Sequence, residues 1–149
     1  FIEYSEHGLN YLKEISKIIK KNDGGLLIID YGYSEKKMRD TLKGISKHKF
    51  ANILENIGNT DITHNISFDL FKKFIKQMGN LESNLTSQRK FLFKMGINER
   101  AEIISKNLNF LEKADIYYRL KRLVDDQQMG SLFKVMLIKN KKNKFNLGF

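Results

Sequence analysis

The chain has 149 residues, 41% hydrophobic and 30% charged, the balance of one globular domain or part of a larger one, which excludes the disordered and fibrous classes. It has no Cys, so a disulfide framework, a thiolate zinc site and a Cys nucleophile are excluded, and no apolar run approaches the ~20 residues that cross a bilayer. Its net charge is +10, but 22 of its 27 basic residues are Lys and 5 are Arg, in a Pro-free chain rich in Ile and Asn, as an AT-rich genome encodes.

In chain order, Ser5 is placed to cap a helix whose apolar positions Leu9, Leu12, Ile15, Ile18 and Ile19 follow helical spacing. Lys20 and Lys21 suit its end, and Asn22-Asp23-Gly24-Gly25 stops it. Leu26-Leu27-Ile28-Ile29-Asp30-Tyr31-Gly32 is a short unbroken apolar run closed by Asp and Gly. Such a run predicts a strand buried on both faces, as in a parallel sheet. Residues 33–66 lack strong periodicity and predict a long ordered connection.

Ser67 then caps a helix with Phe68, Phe71, Phe74, Ile75 and Met78 on one face, ended by Gly79. A weak strand is expected over 80–86, then a helix from Thr86 or Ser87 to Gly96, and a short helix opened by Asn98. Asn109 and Glu112 form the pattern of a capping box before a longer amphipathic helix. A turn over 127–131 and a final strand over 132–138 complete the reading. Residues 131–149 hold five Lys and no acid, and Lys139–Lys144 predicts a solvated basic tail. The division expected is therefore 1–138 for the folded portion and 139–149 for the tail.

An apolar strand buried on both faces needs paired neighbours and cover above and below. The chain offers one further confident strand and one weak one, which would leave Leu26–Ile29 with a bare edge. More of the sheet is therefore expected from sequence before Phe1 or from another chain. The start at Phe1, without the pattern of a signal peptide, suits a processed chain or a fragment.

Gly25–Gly32 resembles the GxLLxIDYG segment of the MidA-like S-adenosylmethionine-dependent methyltransferases, the family that includes the mitochondrial complex I assembly enzyme. Other segments resemble the family's in the same order. These are Glu3-Tyr4-Ser5; Thr41-Leu42-Lys43-Gly44 with His48; Gly58 to Phe68; Thr86-Ser87-Gln88 with Phe91-Leu92 and Gly96-Ile97; and Met129-Gly130 with Phe133-Lys134-Val135.

The resemblance implies an α/β fold, the C-terminal part of the doubly wound, seven-stranded, Rossmann-like class I methyltransferase sheet, incomplete in this chain. Residues 26–30 would be its strand five, 80–86 its strand six, and 132–138 its antiparallel strand seven. The family's Gly-rich cofactor loop and ribose-binding acid lie earlier than any residue present. Gly24-Gly25 does not replace that loop, because it precedes a strand whereas a cofactor loop follows one.

In open α/β sheets, ligands bind outside the carboxyl ends of the strands. Asp30 and Tyr31 stand at that end of strand five and are the catalytic candidates, with Asp30 able to orient or deprotonate an amine or guanidinium. Its local alternative is a turn held by its own backbone bonds. Gly32, His48, Asp61, Thr63 and Gln88 are the candidates for the acceptor side of the cleft. Asp61 and Thr63 equally suit a turn before the Ser67 helix, and Gln88 a structural place in a first helical turn. His7, His48 and His64 lack ligand spacing, and no metal site is expected.

The function implied is transfer of a methyl group from S-adenosylmethionine to a protein, at arginine, by a chain inactive without its upstream cofactor-binding half. The partners are then a protein substrate and that missing half, with no membrane, in a bacterial cytoplasm or the mitochondrial matrix. The competing readings are a standalone basic module for nucleic acid or acidic partners, and a split-gene relic. Arg scarcity argues against nucleic acid, whose sites favour bidentate Arg. Only Phe145 and Phe149 are interleaved with the basic tail, which leaves little for base stacking.

Overall fold

The computed structural model describes residues 2–149. Helix α1 (Glu6–Asn22) opens where Ser5 Oγ accepts the Gly8 N–H at 3.0 Å and closes at Asp23, whose φ of 52° is left-handed. Strand β1 (Gly25–Tyr33) follows. Helix α2 (Phe68–Met78) is capped by Ser67, strand β6 (Leu81–Ser87) follows it, and Ser87 caps helix α3 (Gln88–Lys94). Helix α4 (Ile97–Ser105) starts one residue before the expected Asn98, with Gly96 at its cap. Helix α5 (Phe110–Val124) has the full capping box, Asn109 and Glu112 each bonding the other's backbone N–H. The expected turn near 130 contains a short helix α6 (Met129–Leu132), and strand β7 (Phe133–Asn140) closes the sequence of elements.

The segment between β1 and α2 is not a plain connection. It folds into strands β2 (Lys43–Ser46), β3 (Lys49–Ala51) and β4 (Asp61–Thr63), which form an antiparallel sheet of order β3-β2-β4. Its hairpin turns at Lys47 and His48, with φ of 48° and 62°, the handedness that two-residue hairpins require. Without Gly or an Asn-Gly pair there, the sequence gives no hairpin signal. Strand β5 (Ile66–Ser67) then meets β1 in parallel through Gly32 and Tyr33.

The main sheet has the order β5-β1-β7-β6, with β7 antiparallel to both neighbours. Helices α1 and α2 cover one face. There Leu12, Ile19, Phe68, Ile75, Leu81, Met136 and Ile138 form the core, and Leu26 and Ile28 pack against it. Fully burying each such side chain contributes about 1.5–3 kcal/mol.

The expectation of burial on both faces fails for β1. Leu27 is 44% and Ile29 49% exposed, and beside Leu27 α3 and the C-terminal segment line an open pocket without closing over the strand. Between Gly25 and Tyr31, β1 pairs only with β7, so its other edge is open among the described residues.

Lys139 does not begin a solvated tail. It is the seventh residue of β7, 5% exposed, with its ammonium 3.0 Å from Glu82 Oε1 and 2.7 Å from the Asn143 carbonyl. The segment beyond folds back: Asn143 donates to the Asp23 carbonyl, Asn84 to Asn146, and the Phe149 ring meets Phe91 tilted at 57° with centroids 5.5 Å apart.

Candidate functional site

The carboxyl end of β1 opens into a cleft of about 300 Å³. The start of α1, the carboxyl end of β1, the β4–β5 link and the first turn of α2 wall it. Asp30, Tyr31 and Thr63 all line it. Tyr31 is held from two sides. Its ring meets Phe133, its cross-strand partner on β7, edge-on at 5.8 Å, and its hydroxyl is hydrogen-bonded to Thr63 Oγ1. Asp30 Oδ1 accepts the Tyr31 N–H at 2.8 Å. This bond lies inside β1, between neighbouring strand residues, so it is not the turn expected as the alternative, and it uses one carboxylate oxygen.

The other sequence candidates are placed apart. Gly32 is buried on a neighbouring pocket, and the approach it permits is that of the protein itself. A Cβ there would meet the Ile66 carbonyl oxygen and the Phe68 ring. His48 is exposed in the β2–β3 turn, and Asp61 is exposed at the start of β4, paired with Ile45. Neither lines the cleft. Gln88 is 7% exposed and its Nε2 donates to the Leu123 carbonyl at 2.9 Å, tying α3 to the end of α5.

A polar clasp at the cleft was not singled out from the sequence. Thr41 donates its backbone N–H to Glu3 Oε2 at 2.8 Å and its hydroxyl to Glu3 Oε1. Thr41 Oγ1 accepts the Asn65 N–H at 2.8 Å, and His64 Nδ1 stands 3.7 Å from Glu3 Oε1. Partial burial acts to raise the Glu3 pKa. The Thr41 hydrogen bonds and the His64 charge outweigh it and hold the carboxyl below its ordinary value. Glu3 and Thr41 both fall in family-like segments, but 38 positions separate them, so only the fold brings them together.

The residues at this cleft do not form a glycine-rich cofactor loop. Among the described residues, no glycine-rich turn leads from a strand into a helix over this cleft. Gly24 precedes β1, and a Cβ on it would meet nothing within 4 Å, so no close approach requires glycine there.

The family described as "Putative S-adenosyl-L-methionine-dependent methyltransferase" matches residues 1–88. The chain belongs to this methyltransferase family. Among curated relatives, the Danio rerio protein arginine methyltransferase NDUFAF7, mitochondrial, is 26% identical over 129 residues, covering 87% of this chain and 30% of its own length. The Rattus norvegicus protein of the same name is 30% identical over 133 residues, covering 82% and 28%. The chain thus spans about 30% of the length of the curated relatives it matches.

Two solved structures from Burkholderia thailandensis share the fold. One has a TM-score of 0.82 at 20% identity, covering 97% of this chain and 40% of that one. The other, bound to S-adenosyl-homocysteine, has a TM-score of 0.78 at 22% identity, covering 98% and 39%. The sheet of β1, β7 and β6 is accordingly part of a class I methyltransferase fold.

Proposed function

We propose that this chain is the acceptor-side, C-terminal portion of an S-adenosylmethionine-dependent methyltransferase that modifies a protein at arginine. The observation that carries the reading is the meeting of Asp30, Tyr31 and Thr63 in one cleft at the carboxyl end of β1, in a chain of this family. In this reading, residues 1–138 are catalytic-domain sequence and 139–149 its basic end, docked on the sheet. The cofactor is held mainly by an upstream half, which adds its strand to the open edge of β1 and covers Leu27 and Ile29. The partners are that half and the protein substrate, and the compartment is the mitochondrial matrix or a bacterial cytoplasm.

The cofactor supplies an electrophilic methyl group. This chain's residues hold the nucleophile. A guanidinium entering the cleft would meet the Asp30 carboxylate oxygen not engaged by Tyr31, which fixes its orientation and takes the proton released from the attacking nitrogen. The tie between Tyr31 and Thr63 keeps the three-stranded sheet against the entrance. Gly32, His48, Asp61 and Gln88 belong to the acceptor side in this reading by shaping its supports.

The test is calorimetry with S-adenosylmethionine on the 149-residue chain and on a chain lengthened upstream. The lengthened chain binds and the shorter does not. A lengthened chain that fails to bind overturns the reading, and methyl transfer to lysine peptides but not arginine peptides overturns the acceptor.

A further inference from the structure

A second pocket, of about 410 Å³, opens on the same rim of the sheet and shares Asn65 with the cleft as a common wall. Its floor is the start of β7, and its sides are the segment after β1 and the approach to α6. Its lining charges sum to zero, but their pairing leaves one cation over. Lys134 and Arg39 contribute two cations, and Glu35 bonds to Arg39. Asp126 also lines the pocket, but Arg89, outside it, holds that carboxylate at 3.1 Å.

Among the described residues, Lys134 forms no ion pair and donates only to the Ser131 carbonyl. Asp30 faces it across the strands, but lines the other cleft and accepts from Tyr31. Half-burial pulls the ammonium below the ordinary lysine pKa, Glu35 opposes the fall, and Arg39 adds to it. Arg39 is held in place by the Tyr33 ring beneath its guanidinium and the Tyr33 hydroxyl, which accepts its backbone N–H at 3.2 Å. Lys134 is thus the one lining charge without an ionic partner among the described residues, and Arg39 beside it is already positioned.

We propose that this pocket is a carboxylate-binding subsite beside the acceptor cleft, in which Lys134, flanked by Arg39, takes an acidic side chain of the protein that is methylated. The proposal rests on the methyltransferase reading for the identity of that protein, but not for the binding of the carboxylate. A single carboxylate completes the charge of the Lys134, Glu35 and Arg39 group. The shared wall lets one extended segment reach both pockets.

The test is a titration of the full chain, labelled with 13C at lysine Cε, with N-acetylglutamate N-methylamide and with its glutamine counterpart. The Lys134 signal shifts saturably with the glutamate probe and about tenfold more weakly with the neutral one. Read at the Arg39 side chain, the glutamate response is lost in Lys134→Gln and restored in Lys134→Arg. Equal responses to both probes, or none, overturn the proposal. If S-adenosyl-homocysteine saturates Lys134 and the glutamate probe does not, the carboxylate recognised is the cofactor's and the assignment to the acceptor falls. Because no cofactor or turnover is involved, a carboxylate response in a chain whose lengthened form takes no S-adenosylmethionine leaves this pocket standing while the methyltransferase reading fails.

Discussion

The Tyr31 hydroxyl is hydrogen-bonded to Thr63 Oγ1, which joins the carboxyl end of β1 to the last residue of β4 across 32 positions of sequence. This is one of the polar links between the main sheet and the smaller one. The Glu3 clasp on Thr41 is separate and ties the residues ahead of α1 to the segment before β2. Tyr31→Phe retains the edge-on contact with Phe133 and removes only the hydroxyl. Its expected cost is about 1 kcal/mol of stability. Amide hydrogen exchange over 61–63 should rise while that of β7 is unchanged. In a lengthened, cofactor-binding chain the same change should lower kcat more than KM. Unchanged exchange at Thr63 would show that the tie does not hold the small sheet.

Gly32→Ala tests the close approach of β5 to β1. The added methyl runs into a backbone carbonyl and the fully buried Phe68 ring, neither of which can swing aside as an exposed side chain does. Overpacking of this kind costs about 1–3 kcal/mol. Urea denaturation of the variant should show a lower midpoint with an unchanged slope. If Gly32 is there only to admit a ligand, stability will be unaffected.

The Glu3 carboxyl has a folded pKa below its unfolded one. Its contribution to stability is therefore present above the ordinary carboxylate range and is lost as pH falls through the lowered value. Glu3→Gln should cost on the order of 1 kcal/mol at neutral pH, and the difference from the parent should shrink between about pH 5 and pH 3. Parallel curves over that range would place the clasp's contribution elsewhere than in the carboxylate.

Ser16 sits in α1 with 0% exposure, and its hydroxyl has no hydrogen-bond partner among the described residues. An unpaired buried hydroxyl costs about 1–3 kcal/mol. Ser16→Ala should raise the thermal midpoint, with far-UV dichroism unchanged. A lower midpoint would mean that the hydroxyl is satisfied in solution.

The sequence was most legible where one local rule decides an element. Ser5, Ser67, Ser87 and the Asn109–Glu112 box each mark a helix start that the backbone then shows. The apolar runs located β1 and β7 for the same reason. Burial of β1 was not legible, because an apolar run shows what a strand can bury and not what is present to cover it. The small sheet escaped because its strands have at most four residues and its turn puts Lys47 and His48 at positive φ without glycine. At the cleft, Asp30 and Tyr31 were legible from their place at the end of an apolar run, and Thr63 from the family resemblance. Glu3, Thr41 and Lys134 were not, since a pairing over 38 residues and a lysine left without an ion pair in a pocket exist only once the chain has folded.

Lys139 and Glu82 stand 3.0 Å apart, but they are not equivalent partners. The Lys139 side chain is 7% exposed and the Glu82 side chain 40%. Removing the lysine leaves a carboxylate that water can solvate. Removing the glutamate leaves a buried ammonium with only the Asn143 carbonyl to satisfy it. Glu82→Ala is therefore expected to destabilise the chain by about 1–2 kcal/mol, and Lys139→Met by less, since the aliphatic replacement keeps the buried volume. The Glu82 variant should also free the end of the chain, read as faster proteolysis after Lys141 and Lys142. Chemical denaturation of the two variants gives the ordering directly. A larger loss for Lys139→Met would mean that the ammonium's bond to Asn143, rather than the ion pair, holds the folded-back segment on the sheet.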